Sequence, residues 1–414
     1  MSNQQDIQVL RALAAQYAEV AHLPVQAERR ALWTAHNSLK PTRVPILATF
    51  GMWNVWCREM FGDAALACTD PFYREHERWL RLQLFQAAVG DDSIQEPWIT
   101  QSATFTVSWE RLWGVEARQA PVTEEGGATY YLPPLKSWED VRQLVVPRHA
   151  IDEETTRRNV ERLQEAVGDI LPVNVARGCA YTSFAGDLSH GVCYLRGLEQ
   201  VMEDMYDAPE ELHALMAFMR DGVLGAQQQA EDAGDFSLLS HQNQSMPYCE
   251  ELEAPCMHSG PRTRKQLWAF FAAQEFTLVS PAMHDEFLLQ YQLPIMQHWG
   301  LIAYGCCEDL TRKIDMLRQI PNLRQIAVTP VADVAKCAEQ IGTDYVMSWR
   351  PNPADMVCCG FDEGRIRRII SDGLAKTQGG RVHIHLKDVE TLEGEPERLA
   401  NWVKIVREET ACYA

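Results

Sequence analysis

Two neighbouring cysteines followed by two carboxylates make Tyr304-Gly305-Cys306-Cys307-Glu308-Asp309 the most chemically informative stretch of the 414-residue chain. Thiolates are soft ligands and carboxylates are hard ones, and together they are donor types with which proteins hold zinc. Because side chains alternate along a strand, we expect Tyr304 and Cys306 to share the inward side, which makes Cys306 the better ligand candidate. Two small buried thiols in a tightly packed space are the alternative interpretation.

A second polar stretch closes the last predicted strand, which reads Val382-His383-Ile384-His385-Leu386-Lys387-Asp388. Strand periodicity places His383, His385 and Lys387 on one face. Two imidazoles two residues apart can converge on a metal ion, and a barrel brings its last strand close to earlier ones. The alternative is a polar stripe that faces the surface of the protein.

Polar side chains follow other predicted strands as well. Ser240-His241-Gln242-Asn243-Gln244 supplies one imidazole and several amides, which are groups that orient a polar ligand or act as acid and base. A histidine that only hydrogen-bonds the backbone is the competing interpretation of His241. The remaining candidates at strand ends are Asn174, Arg177, Arg350 and Lys387.

The elements that must position these residues alternate regularly between strand and helix. Eight segments have strand character, at Pro45 to Phe50, Ala103 to Val107, Ile170 to Val175, Phe236 to Ser240, Leu301 to Tyr304, Gln325 to Thr329, Tyr345 to Ser348 and Val382 to Leu386. Predicted helices lie between them, among them Pro209 to Glu231, Pro261 to Phe276, Pro281 to Trp299 and Glu363 to Lys376. Strands in βα repeats predict an α/β fold, the TIM (β/α)8 barrel, whose chemistry sits at the carboxyl ends of the strands. We predict a helical extension over residues 1–44 and the barrel over residues 45–414.

Composition and motifs exclude several classes of function. The chain has 38 basic and 57 acidic residues, a formal net charge of −19, and no basic cluster of the kind that binds nucleic acid. No run of 18 apolar residues and no export signal occur, so we expect a cytoplasmic protein without a membrane span, with its 12 cysteines reduced. The absence of GxGxxG, P-loop, GxSxG and HExxH motifs disfavours dinucleotide, nucleotide, serine-hydrolase and zincin chemistry.

Segments along nearly the whole chain resemble the uroporphyrinogen decarboxylase-like superfamily, a group of TIM barrels that also contains zinc-dependent corrinoid methyltransferases. They are Asn37-Ser38-Leu39-Lys40-Pro41, Leu195-Arg196-Gly197-Leu198-Glu199, Tyr304 to Leu310, Arg350-Pro351-Asn352-Pro353, and Leu386-Lys387-Asp388 through Trp402. True uroporphyrinogen decarboxylases carry a Met-Arg-Gln-Ala-Gly-Arg element that binds substrate carboxylates. The first strand here, Pro45 to Phe50, is followed by Gly51-Met52-Trp53 and contains no arginine, which disfavours porphyrinogen decarboxylation.

The methyltransferase branch of this superfamily holds zinc with a His-x-Cys pair at the end of one strand and a further cysteine at the end of the last. Tyr304-Gly305-Cys306 matches the pair with tyrosine in place of histidine, and the closing strand carries His385. The resemblance therefore implies zinc bound by Cys306, with Cys307, Glu308 and His385 as candidate co-ligands.

The resemblance implies an enzyme that moves a methyl group from a small methylated substrate to the cobalt of a separate corrinoid protein, with zinc polarising the heteroatom that leaves. Asn174, His241 and Asn243 would bind or orient the substrate, and Tyr304 would donate a proton to the leaving heteroatom. The amphipathic N-terminal helix, with Leu10, Leu13 and Tyr17 on one face, is compatible with packing across a homodimer.

Two other functions remain open at this point. One is a metal-independent decarboxylase or lyase acting on a small acidic substrate, whose carboxylates Arg177, Arg350 and Lys387 would hold. The other is a binding barrel that has lost its catalytic ligands, suggested by tyrosine at position 304.

Overall fold

A parallel sheet of six strands forms the centre of the computed structural model, which describes residues 2–50, 59–119, 131–181 and 184–411. Numbered in chain order, the strands run β1 (Ile46–Phe50), β10 (Arg381–Val389), β9 (Val346–Trp349), β8 (Leu323–Val328), β7 (Leu301–Tyr304) and β6 (Trp268–Phe271). The first strand pairs with the last, with Leu47 opposite His385. This pairing curls the sheet into part of a barrel.

Two further parallel strands, β2 (Ile99–Ser102) and β5 (Val173–Ala176), pair with each other, and β3 (Arg118–Gln119) forms a small antiparallel pair with β4 (Tyr131–Leu132). The predicted α/β class with parallel strands is therefore confirmed. The continuous eight-stranded ring is not formed by the described residues, in which the parallel strands divide into a sheet of six and a sheet of two.

Helices surround the sheet and also precede it. The principal helices are α1 (Ser2–Ala21), α2 (Pro24–Asn37), α3 (Pro71–Val89), α4 (Glu153–Val167), α5 (Leu188–Arg196), α6 (Leu198–Asp207), α7 (Pro209–Asp232), α8 (Pro281–His284), α9 (Gln290–Met296), α10 (Ile314–Leu317), α11 (Val334–Ile341), α12 (Glu363–Lys376) and α13 (Glu397–Ala411). None of the helices in the described part of the chain combines the length and apolar character that crossing a bilayer requires.

The predicted helical character of the N-terminal region is confirmed by α1 and α2, while its status as a separate extension stays a prediction. The apolar face of α1 is buried within its own chain. Leu10 and Tyr17 pack in one cluster with Leu80 of α3 and Leu163 of α4. This face is therefore already covered, and it does not supply a free surface for a homodimer.

Three predicted elements are corrected by the structure. The segment Pro261 to Phe276, predicted as a helix, contains the strand β6, because Trp268-Ala269-Phe270-Phe271 is buried on both faces and such a short apolar run has no periodicity to distinguish strand from helix. Phe236 to Ser240 contains a short 3-10 helix, Leu238–Ser240, instead of a strand. The second strand covers Ile99–Ser102 and ends just before the predicted Ala103 to Val107.

Close packing of α12 on β9 fixes the strand that carries Arg350 at its end. A Cβ atom at Gly373 would lie 2.0 Å from Cη2 of Trp349. We expect Gly373→Ala to lower the free energy of unfolding by about 1–3 kcal/mol, because the tryptophan ring must move. Urea denaturation measures the effect, and Gly364→Ala in the exposed first turn of the same helix is the matched control. Equal effects of the two substitutions would contradict the close packing.

Candidate active site

A buried carboxylate shapes the turn that follows β7. Both oxygens of Glu308 accept backbone N–H groups, from Ala273 at 2.8 Å, Cys306 at 2.8 Å and Cys307 at 2.9 Å. Glu308 is completely buried, so these three bonds replace its hydration. Its geometry is that of a residue that holds the turn, with its oxygens directed at the backbone instead of at a shared metal position.

Gly305 separates Tyr304 from Cys306 and places them on opposite sides of the sheet, contrary to the predicted shared face. Its φ of +102° lies in the left-handed region that glycine tolerates, and it interrupts the strand alternation. Cys306 packs with Leu301 and Ala303, whereas Tyr304 packs in the main core. The Tyr304 hydroxyl donates to Gln292 Oε1 at 3.2 Å and lies 3.0 Å from His284 Nε2. The Tyr304 hydroxyl therefore lies on the side of β7 that packs against the helices. Its role as proton donor stays a prediction.

The two thiols form a tight pair in which one is buried and the other exposed. The sulfur atoms of Cys306 and Cys307 are 3.6 Å apart, and Gln244 Nε2 donates to the Cys306 sulfur at 3.4 Å. The Cys307 thiol hydrogen bond lowers the pKa of Cys306 to about 6, with burial opposing it and the nearby Lys387 assisting. The pKa of Cys307 is raised, first because its proton is held by Cys306. Of the two, Cys306 is therefore the more acidic thiol, and Cys307 is the one that holds its proton more strongly.

Two cations from neighbouring strands lie at the same edge of the sheet. Arg350, directly after β9, donates from Nη1 to the Cys306 carbonyl oxygen. Lys387 near the end of β10 pairs with Asp388, whose Oδ2 lies 4.0 Å from the Cys307 sulfur. Asp388 has a φ of +59°, which is uncommon for a residue with a side chain and is typical of functional sites.

Buried imidazoles lie along β10 beside this edge. His385 Nε2 is 2.8 Å from the Thr49 hydroxyl, and His383 bonds Ser348 at 2.9 Å and His36 at 3.2 Å. Burial lowers the pKa of both His383 and His385 well below the ordinary value, so both rings are neutral. Nδ1 of His385 is buried and has no hydrogen-bond partner.

The distance between the sulfurs of Cys306 and Cys307 is compatible with both sulfurs binding one tetrahedral zinc ion. Two Zn–S bonds of tetrahedral geometry place the sulfurs about 3.8 Å apart, close to the 3.6 Å between Cys306 and Cys307. Within the described residues, however, no three His, Cys, Asp or Glu side chains are arranged to hold one metal ion. The predicted co-ligands Glu308 and His385 do not converge with the two thiols into such a group.

The fold is similar to that of a methyltransferase from Methanosarcina mazei. The two chains share 13% sequence identity, the match covers 92% of this chain and 97% of the other, and the TM-score is 0.51. No protein-family model matches the chain, and no curated protein matches it either. At this identity the likeness to the Methanosarcina mazei methyltransferase shows a shared fold, and the function must be argued from the site.

His241 and Arg177, two other predicted site residues, line a separate cavity of about 220 Å³. Both ring nitrogens of His241 serve the backbone, because Nδ1 accepts from Trp268 N and Nε2 lies 3.0 Å from the Glu253 carbonyl oxygen. Burial lowers the pKa of His241 to about 4. Arg177 pairs with Asp235 and Glu153. The structure therefore does not bring these two predicted residues to the thiol pair.

Each of the two predicted amide ligands, Asn174 and Asn243, has a side-chain nitrogen that is buried without a hydrogen-bond partner among the described residues. Asn243 Oδ1 accepts from Ser245 N at 3.0 Å and from Gln325 Nε2 at 3.2 Å, while its Nδ2 has no partner. Asn174 is buried in β5, and its Nδ2 also lacks a partner. Their roles in substrate binding stay predictions.

Sequence reasoning assigned no role to three residues that the structure places at or beside the site, which are Gln244, Asp388 and His36. Gln244 and Asp388 were visible as polar neighbours of the candidates His241 and Lys387. His36 lies in α2, 347 positions before its partner His383, and no local pattern could connect the two.

A second group of ionisable side chains lies at the start of α5. Asp187 caps this helix by accepting from His190 N at 3.0 Å, and the Ser189 hydroxyl lies 2.6 Å from Asp187 Oδ1 and 2.7 Å from Glu275 Oε2. Burial, followed by the charge of Glu275, raises the pKa of Asp187 to about 7. The folded protein therefore holds a proton on this carboxyl that the unfolded chain releases near pH 4.

This raised pKa predicts a stability that falls as pH rises from about 4 to about 7, because the folded state binds the extra proton in that window. Asp187→Asn keeps an oxygen that can cap α5 but carries no charge, so we expect its stability relative to wild type to increase over the same window. Urea denaturation at successive pH values measures the difference. Asp152→Asn is the control, since Asp152 caps α4 with a lowered pKa and should show no such increase.

Proposed function

We propose that the protein is a methyltransferase whose reaction takes place at Cys306. The observation that carries this proposal is the Cys306 sulfur, buried at the carboxyl edge of a parallel sheet, 3.6 Å from the sulfur of Cys307 and beside the cations Arg350 and Lys387. Barrel enzymes place their chemistry at this edge. The similar fold of the Methanosarcina mazei methyltransferase is consistent with the proposal. We also propose that β2 and β5 complete the barrel around the site.

Zinc held by Cys306 and Cys307 is the finer part of this proposal, and bound there it would act as a Lewis acid on the heteroatom that loses the methyl group. The chain's own residues have separate tasks. Gln244 orients the Cys306 sulfur through its hydrogen bond. The Lys387 ammonium stabilises negative charge on the thiolate and on the departing heteroatom. The methyl acceptor would be the cobalt of a separate corrinoid protein, which is the acceptor that the superfamily resemblance implies.

A metal-independent decarboxylase for a small acidic substrate is the second candidate function. The buried guanidinium of Arg350 favours it, because Nε and Nη2 have no partner among the described residues and suit a substrate carboxylate. The two functions differ in the group that leaves the substrate, which is a methyl group in one and carbon dioxide in the other.

The test combines a methyl-transfer assay with a metal analysis. Protein purified reduced and without chelator is incubated with cob(I)alamin and with phenyl methyl ethers, methylamines, methylthiols or betaines, and methylcob(III)alamin is followed by its absorbance. We expect methylation from one donor class and about one zinc per chain. Failure of every donor, together with release of carbon dioxide from a small carboxylic acid, would replace the proposal by the decarboxylase.

A further inference from the structure

Arg350 is a buried arginine, and within the described part of the chain one of its three nitrogens has a hydrogen-bond partner. Nη1 donates to the Cys306 carbonyl oxygen, whereas Nε and Nη2 are buried and have no hydrogen-bond partner among the residues that the structure describes. Burial lowers the pKa of Arg350, opposed by the charges of Cys306 and Glu308. A buried guanidinium with unpaired N–H groups is costly, so these groups are expected to serve a partner outside the chain.

The two unpaired nitrogens lie on the same edge of the planar guanidinium. Nη1 is cis to Cδ about the Nε–Cζ bond, and Nη2 is therefore cis to the hydrogen of Nε. The N–H of Nε and one N–H of Nη2 thus point in the same direction, away from Nη1. This edge donates two parallel hydrogen bonds to the two oxygens of one carboxylate. The free edge is therefore shaped for a planar, bidentate acceptor.

The neighbouring carboxylates are already engaged elsewhere. Glu308 accepts three backbone N–H groups, and Asp388 pairs with Lys387. Two further polar atoms of the neighbourhood, Oε1 of Gln244 and Nδ1 of His385, are also buried without a partner. Unsatisfied polar atoms at one edge of the sheet indicate a polar ligand and disfavour a purely hydrocarbon one.

The charge of the cluster disfavours a doubly charged ligand. The cations Arg350 and Lys387 are opposed by the nearby carboxylates Glu308 and Asp388. A doubly charged phosphate would add more buried negative charge than a carboxylate does. Between these two anions, the bidentate geometry and the charge therefore both favour the carboxylate.

We propose that the side-on edge of Arg350 binds the carboxylate of the substrate, next to the Cys306 sulfur. Carboxylate binding stands on this geometry alone. Its extension, that the methyl donor is a methylated carboxylate, rests on the proposed function. A neutral donor such as a simple methyl ether lacks the group that this edge recognises.

Calorimetric titration of the reduced protein with acetate, acetamide and inorganic phosphate tests the proposal. We expect saturable binding of acetate only. Arg350→Lys keeps the charge but loses the two parallel N–H donors, and it should weaken acetate binding about tenfold or more. Arg318→Lys, at an exposed arginine that pairs with Asp315 and Asp344, should leave acetate binding unchanged. Equal acetate affinity in Arg350→Lys, equal binding of acetamide, or tighter binding of phosphate would overturn the proposal.

A measurement on the wild type keeps the proposal testable if Arg350→Lys does not fold. Acetate at saturation should slow alkylation of Cys306 by iodoacetamide, as followed by peptide mass spectrometry, and acetamide should not. Unchanged alkylation would count against the site. Methyl transfer from a neutral donor without acetate binding would overturn this inference and leave the proposed function standing. Acetate binding without any methyl transfer would support the carboxylate site and overturn the proposed function.

Discussion

Glu308→Gln is expected to lower the free energy of unfolding by roughly 3 kcal/mol, which is the cost of breaking charge-assisted hydrogen bonds in a buried site. The carboxylate accepts N–H groups from Ala273, Cys306 and Cys307 with both oxygens. Glutamine keeps one oxygen and turns an NH2 group toward the remaining backbone donors. At least one buried N–H then faces another donor and loses its partner.

Urea denaturation of the reduced protein measures this loss. Asp309→Asn is the matched control, because Asp309 Oδ1 accepts Thr311 N at 2.8 Å and asparagine can keep that bond. We expect a loss of about 1 kcal/mol or less in the control. If Glu308→Gln were no more destabilising than Asp309→Asn, the three backbone bonds could not be what holds the thiol turn.

The convergence of Cys306, Arg350 and Lys387 could be predicted from the sequence because it follows from topology. The carboxyl ends of parallel strands meet at one edge, so polar residues just after such strands become neighbours whatever their separation in the chain. Leu301–Tyr304 was predicted with the bounds that the structure has, and β1, β8, β9 and β10 were displaced by a few residues at most. Errors of that size do not move a residue to a different edge. The sixth strand of the sheet, β6, was predicted as part of a helix.

The side of the sheet on which each site residue lies could not be predicted, because it depends on backbone dihedral angles that the sequence pattern does not reveal. One positive φ at Gly305 places Tyr304 and Cys306 on opposite sides, although they are two positions apart. One of the backbone N–H groups that donate to Glu308 belongs to Ala273, 35 positions earlier in the chain. The structural role of Glu308 could therefore not be predicted from its sequence neighbours. His241 shows the same limit, because both of its ring nitrogens serve backbone groups that sequence spacing does not bring near.

Cys306→Ser is expected to reduce methyl transfer by at least about 100-fold, corresponding to about 2.7 kcal/mol of transition-state stabilisation. The thiolate is held ionised by the Cys307 hydrogen bond and by Lys387, with a pKa of about 6. A serine hydroxyl stays neutral at pH 7 and is a poor ligand for a soft metal ion. The assay is the formation of methylcob(III)alamin, and the zinc content of the same preparations is measured beside it.

The second vicinal pair of the chain supplies the matched control. Cys359 is exposed beside Cys358, as Cys307 is beside Cys306, but lies after the π-helical segment Ala354–Cys358. We expect Cys359→Ser to keep both zinc and activity. Each of the single variants Cys306→Ser and Cys307→Ser is expected to lose zinc, because the proposed site uses both sulfurs of the pair. A Cys306→Ser protein that folds and retains both zinc and methyl transfer would place the chemistry elsewhere. Retained zinc in Cys307→Ser alone would limit the role of Cys307 to the hydrogen bond that keeps Cys306 ionised.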